Sequence, residues 1–290
     1  MKFLVTPHNI DNISKLTMAD GFIVGNSEFA TSLTKSFSIE EINNIIDYCQ
    51  NKSQEVFLNL QKMYIDEEFD NLSLFLSKIN VEKLTGILTI DLGIVQHLID
   101  LDLADKIVFN GETLLTNYLD FNMLKPFNVY GGFVAKEITF DDILEISNHK
   151  VYHLFLIGHG HLSMFYSKRA LITNFKKHYN LSLDEKKYNY KILENKREGS
   201  PFPILQDQAG THVYRSKVVN SFSYLNQLKP IVDYFVIDSI FKDDNYIIKI
   251  LDLYLNGYNE TTIAEIQQQY NETWDDGFYD VKTVYLKEKL

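Results

Sequence analysis

Two hydrophobic periods alternate along the chain. Short runs that are apolar on both faces occupy residues 2–7, 21–26, 55–61, 86–91, 106–111, 128–136, 152–160 and 233–239. That pattern belongs to parallel strands covered by helices. Longer stretches between them repeat every three to four residues. In FSIEEINNIIDYC, Ser38 caps, Glu41 completes a capping box, and Ile39, Ile42, Ile45 and Ile46 share one face. In TFDDILEIS, Thr139 caps, Asp142 sits at the third helical position, and Ile143 and Ile146 face inward. DNLSLFLSKI, IVQHLIDLDLA and NYIIKILDLYL read the same way.

Eight strands with intervening helices predict an α/β fold, a TIM-like (β/α)8 barrel over residues 1–258. A doubly wound open sheet is the competing architecture. The spacing breaks once, between the seventh and eighth strands. There, about 161–230, an insertion is expected: a helix over SKRALITNFKKHY, then KYNYKIL and PFPILQD…GTHVYR as a hairpin region turning at Gly210. Residues 259–290 are expected to form a tail, a short helix and an extended end, packed on the outside of the barrel.

Composition narrows the field of functions. The chain has 290 residues, 45% of them hydrophobic, and a net charge of −11 with pI about 5.2. A whole-surface nucleic-acid footprint would be basic. One segment departs from this. Between Lys168 and Glu198 nine basic residues stand against four acids, with Tyr179, Tyr188 and Tyr190 among them. Basic charge interleaved with aromatics suits RNA, and a solvated helix and hairpin surface explains it equally well. The single cysteine, Cys49, excludes an internal disulfide and a multi-cysteine metal or iron–sulfur site within the chain. It sits mid-helix beside Tyr48 and is expected to be packed. The apolar stretch before Thr6 and Pro7 is only three residues long, too short for a signal-peptide core, and no run approaches a membrane span. A cytoplasmic protein with no membrane partner is expected.

In a barrel, chemistry collects where strands end. Those ends supply His8, Asn9, Asn26, Asn59, Gln61, Asp91, Asn110, Glu112, Lys136, Glu137, His159, His161, Asp238 and Ser239. His159 and His161 have a known ligand spacing, but His8 and Asp238 do not complete a metal set. Ser163 lacks the G-x-S-x-G elbow of a nucleophile.

The stretch HGHLSMFYSKRALITNF resembles the signature of the collagenase-like peptidases, peptidase family U32. His159, Gly160, Tyr166, Ser167 and Arg169 match it. The likeness runs along nearly the whole chain: LVTPHNIDNI, GFIVGNSEF with Gly25 and Phe29, FSIEEI, VAKEITFDDI with Lys136 for Arg and Glu137 kept, FPILQDQAGTHVY, and VDYFVIDSIF. It is nearest to the short branch found in low-GC Gram-positive bacteria beside a longer paralogue. Where family cysteines stand, this chain has Ser163, Ala170 and Asn220, and KKYNYKILENKREGS replaces the cysteine-rich stretch.

The resemblance implies a cluster-less partner subunit in tRNA wobble-uridine 5-hydroxylation. The longer U32 paralogue would be its partner, and tRNA would be met through segment 168–198. No cofactor is expected in this chain alone, and any iron–sulfur cluster would belong to the partner. A collagenase-like peptidase, a hydrolase, is the alternative, and a non-catalytic scaffold a third reading. Catalysis is expected at His159, Arg169, Glu137 and Asp238. Substrate binding is expected at Lys136, Tyr166, Ser167, Asn26 and Asn59, with no metal bound.

Overall fold

The structure, a computed structural model, describes residues 1–184, 190–195 and 199–282. Seven strands come first: β1 (Lys2–Val5), β2 (Gly21–Gly25), β3 (Glu55–Asn59), β4 (Gly86–Thr89), β5 (Ile107–Asn110), β6 (Gly131–Phe133) and β7 (His153–His159). Five follow in the insertion: β8 (Ser163–Ser167), β9 (Tyr190–Ile192), β10 (Phe202–Asp207), β11 (Gly210–Tyr214) and β12 (Val218–Val219). The last two are β13 (Tyr234–Ile237) and β14 (Trp274–Asp275). Strands β1 to β7 and β13 close into a parallel barrel. Each of the eight apolar runs holds one barrel strand. The open-sheet alternative is excluded by the closing pairs Phe3 with Phe235 and Leu4 with Val236.

Alternation sends one set of side chains into the barrel. Leu4, Ile23, Phe57, Leu88, Val108, Phe133, Phe155, Tyr234 and Val236 fill it. Phe155 stacks on Tyr234 at 4.4 Å, and Phe57 meets both rings edge-on. The barrel is therefore a packed core with no through-pore, open to function only at its ends. The opposite set packs against the helices. Helix Ile39–Gln50 begins at the Ser38–Glu41 capping box and buries Ile42, Ile45, Ile46 and Cys49. Helix Phe140–His149 begins at the Thr139–Asp142 box and buries Ile143 and Ile146.

The insertion is larger in β content than its sequence pattern predicts. It is a four-stranded antiparallel sheet in the order β8, β11, β10, β9. The expected helix starts later, at Leu171, and ends at Tyr179. Side-chain bonds hold the preceding residues in a turn: Ser167 Oγ accepts from Arg169 N–H, and Thr211 Oγ1 accepts from Leu171 N–H and donates to Arg169 C=O. The hairpin turns at Gly210, whose φ is +141° and where a Cβ would lie 2.0 Å from Ser167 O. Parts of the basic segment, including Lys186, Lys187, Tyr188, Lys196 and Arg197, lie outside the described residues.

The tail is woven in more closely than an outer appendage. Helix Glu260–Tyr270 leads to β14, which pairs in parallel with β12. Tyr279 is buried, and its hydroxyl meets Ser221 Oγ at 2.7 Å. Among the described residues, no helix is long and apolar enough to cross a membrane.

Candidate functional site

The C-terminal ends of the barrel strands open into a cleft with a cavity volume of about 100 Å³, roofed by the inserted sheet. Its floor is the top of the barrel core, including Ile23, Leu88, Phe133 and Val236. Its walls are polar and come from Asn59, Gln61, Asn110, Glu112, Lys136 and Asp238. Ser163, Tyr166, His212 and Tyr214 reach in from the insertion.

A chain of hydrogen bonds orders one wall. Glu112 N–H donates to Asn110 Oδ1 at 3.1 Å, Asn110 Nδ2 to Gln61 Oε1 at 2.9 Å, and Gln61 N–H to Asn59 Oδ1 at 2.8 Å. On the other wall the Lys136 side chain is only 4% exposed and ion-paired with Glu112. Its ammonium also donates to Ser163 C=O at 3.3 Å. Burial pushes Lys136 down to about 8, against the pull of Asp238 and Glu137. Burial pushes the Asp238 carboxyl up to about 6, with the Ile240 N–H and Lys136 opposing. A lysine and an acid moved toward neutrality in one cleft mark it as the candidate site.

The roof is pinned rather than merely adjacent. Thr31 Oγ1 donates to Asp207 at 2.5 Å and lies 2.6 Å from His212 Nε2, so that nitrogen carries the proton. Ser32 N–H also donates to Asp207, and Tyr214 donates to Ser32 Oγ. His212 stacks on Tyr166 at 4.2 Å, and Met63 N–H donates to the Tyr166 hydroxyl. Burial drives His212 down to about 4.

The expected residues divide sharply. Lys136, Asp238, Tyr166 and Asn59 line the cleft. His159 does not, which corrects its assignment as a mouth residue. The register between β13 and β7 shifts so that Val236 pairs with Ile157 but Ile237 with His159. This bulge at Gly158 turns His159 outward, beneath helix Asp244–Asn256. There it is wholly buried, 2.8 Å from Tyr246 OH, 3.2 Å from Tyr254 OH and edge-on to Trp274. Burial, with Lys242 and His161 adding, pushes it down to about 3. His161 lines the cleft instead, its Nδ1 donating to Arg215 C=O at 2.8 Å.

Four further residues also sit elsewhere. Arg169 is exposed in the turn before helix Leu171–Tyr179, and Ser167 is spent on that turn. Glu137 is exposed on the rim, beside a separate groove that holds Arg215 and Lys217. Asn26 closes its own loop, donating to Phe37 C=O and accepting from Glu28 N–H. Asn9 and Asp91 cap helical turns, while His8 and Ser239 bond to each other beside the cleft. Among the described residues, no three His, Cys, Asp or Glu side chains gather as a metal site.

Thr31, His212 and Tyr214 were missed because they are contributed by a loop and by the added sheet, away from strand ends. The GTHVY alternation, placing His212 and Tyr214 two apart, was their one visible signal. At the family cysteine positions, Ser163 lines the cleft, Ala170 precedes the helix, and Asn220 donates to Asp275 C=O. Cys49 is sealed in its helix, where burial pushes the thiol up to about 12.

Fold and cleft together define a TIM-like barrel whose mouth is covered by an inserted antiparallel sheet. The profile of peptidase family U32 matches residues 14–288, and the chain belongs to that family. Among its relatives is tRNA hydroxylation protein P2 of Bacillus subtilis, 24% identical over 98% of this chain and 99% of that protein. An uncharacterized protease of Methanocaldococcus jannaschii is 23% identical over 84% of this chain and 64% of that longer protein. A solved U32 peptidase structure matches 81% of this chain and 91% of its own at a TM-score of 0.49 and 12% identity.

Proposed function

We propose that this chain is a cluster-less subunit in the 5-hydroxylation of tRNA wobble uridine, acting in the cytoplasm with a longer U32 paralogue. The observation that carries this reading is the match to a tRNA hydroxylation protein over 98% of this chain and 99% of that protein. The cleft chemistry agrees. A serine, an alanine and an amide at the family cysteine positions do not fit an iron–sulfur cluster, which needs thiolates. Exposed Lys168, Arg169, Lys177 and Lys191 on the insertion offer a phosphate-binding surface near the roof.

A peptidase would need a nucleophile with its base, or a metal. His159 is sealed in the core, and among the described residues no hydrogen bond joins His161 to Ser163 Oγ. The test is to purify this chain alone and with its paralogue and measure iron. Iron in the pair and none in this chain alone is expected. Iron in this chain alone, or cleavage of denatured collagen that depends on the cleft residues, would overturn the reading.

A further inference from the structure

Resting on the tRNA reading above, we infer that the cleft receives one extruded pyrimidine base and selects uracil over cytosine through the free amide N–H groups of Asn59 and Gln61. A side-chain amide is ordinarily ambidextrous, because its oxygen and nitrogen can exchange places. Here that freedom is removed. The relay starts at the Glu112 backbone N–H, which can only donate. Asn110 must therefore turn its oxygen to Glu112 and its nitrogen to Gln61, and Gln61 must accept through its oxygen. The Gln61 backbone N–H likewise takes the Asn59 oxygen. Among the described residues, nothing accepts from Asn59 Nδ2 or Gln61 Nε2. Both residues line the cleft.

Asn59 and Gln61 therefore present amide donors to the cleft, beside the Glu112 carboxylate that Lys136 holds. Acceptors in the same cleft are the Asp238 carboxyl and His161, whose Nδ1–H is committed to Arg215 C=O so that Nε2 is left to accept, while the Lys136 ammonium is engaged by Glu112 and Ser163 C=O. A ring bearing carbonyl oxygens and an N–H between them complements this set. Uracil has that edge. Cytosine replaces one carbonyl by an amino donor, which would face the amide N–H groups with no acceptor between them. The stacked Tyr166–His212 pair gives the roof an aromatic surface for such a ring. A free carboxylate would also find the donors. However, Glu112 and Asp238 already place two carboxyl groups beside Lys136, which disfavours a further anion.

The experiment titrates anticodon stem-loops with uridine or cytidine at the wobble position against the full-length chain together with its paralogue, followed by fluorescence anisotropy. The uridine loop should bind about tenfold more tightly. Gln61→Glu replaces the donor by an acceptor while still accepting from Asn110, and should abolish or reverse the preference. Asn110→Asp cannot donate to Gln61, frees that amide to turn, and should shrink the preference. Equal binding of the two loops, no binding of either, or a preference that survives Gln61→Glu overturns the inference. If deleting the gene lowers wobble hydroxylation but no uridine preference exists, base selection falls and the functional reading stands. If hydroxylation is unaffected by the deletion, the functional reading falls.

Discussion

Replacing His159 by phenylalanine separates a core histidine from a catalytic one. Phenylalanine keeps the ring volume and the packing against Trp274 and Phe222. It loses the two contacts with tyrosine hydroxyls, but strands neither. Tyr246 still donates to Glu272, and Tyr254 still accepts from Ser221 N–H. The cost at neutral pH is then about 1–3 kcal/mol. The pH dependence is more diagnostic. An unfolded chain titrates this histidine near 6.5, whereas burial holds it at about 3 in the folded protein. Its depressed value means that stability is fully present above about pH 6.5 and is lost as pH falls toward 3. By about pH 5 the loss is about 2 kcal/mol. Over 290 residues this corresponds to about 3 °C in Tm.

His161 and His212, both held at about 4, add with the same sign. Asp238, held up at about 6, opposes them, since the folded state takes its proton more readily than the unfolded chain. These groups are common to both proteins and cancel in the comparison. Calorimetry from about pH 7 to about pH 5 should therefore show wild type losing about 3 °C more than His159→Phe. Identical pH dependence in the two proteins would refute the buried, neutral histidine. Loss of hydroxylation in cells carrying a well-folded variant would refute its structural role.

Three further expectations follow from the same contacts. Lys242→Met strands the carboxylate of Glu272, both side chains being under a tenth exposed, and should cost about 3–5 kcal/mol in urea unfolding; adding Glu272→Met should recover much of that. Gly158→Ala places a Cβ 2.0 Å from the Phe235 ring at the bulge that turns His159 outward, and should destabilise by about 3 kcal/mol or more, read as a lower urea midpoint. Hydroxylation by the purified pair should fall as pH rises through about 8, where the Lys136 ammonium loses its proton, and Lys136→Met should lower activity and remove that limb of the pH profile.

The barrel was legible because its signals are local. Runs such as the one around Ile87 and Leu88 are apolar on both faces, and the Ser38 and Thr139 caps announce helices at fixed offsets. The site was legible only in part. Lys136, Asp238 and Asn59 follow from the rule that chemistry sits at strand ends. His159 obeys the same rule and breaks it, because one bulge reverses the face of the strand and no residue pattern records a register shift. The roof was hidden for a different reason. β8 pairs with β11 across more than forty residues, so no local signal marks Ser163–Ser167 as a strand. Arg169 and Ser167 follow the matching His159 closely in sequence, yet their bonds are spent on the turn by which the chain leaves β8 for helix Leu171–Tyr179.

A product measurement tests the proposed hydroxylation most directly. A strain lacking this gene but retaining the longer paralogue, and the same strain carrying the gene back, should be compared for 5-hydroxylated wobble uridine by nucleoside mass spectrometry. The account predicts that the modified nucleoside falls on deletion and returns with the restored gene. An unchanged level in the deletion strain would contradict it.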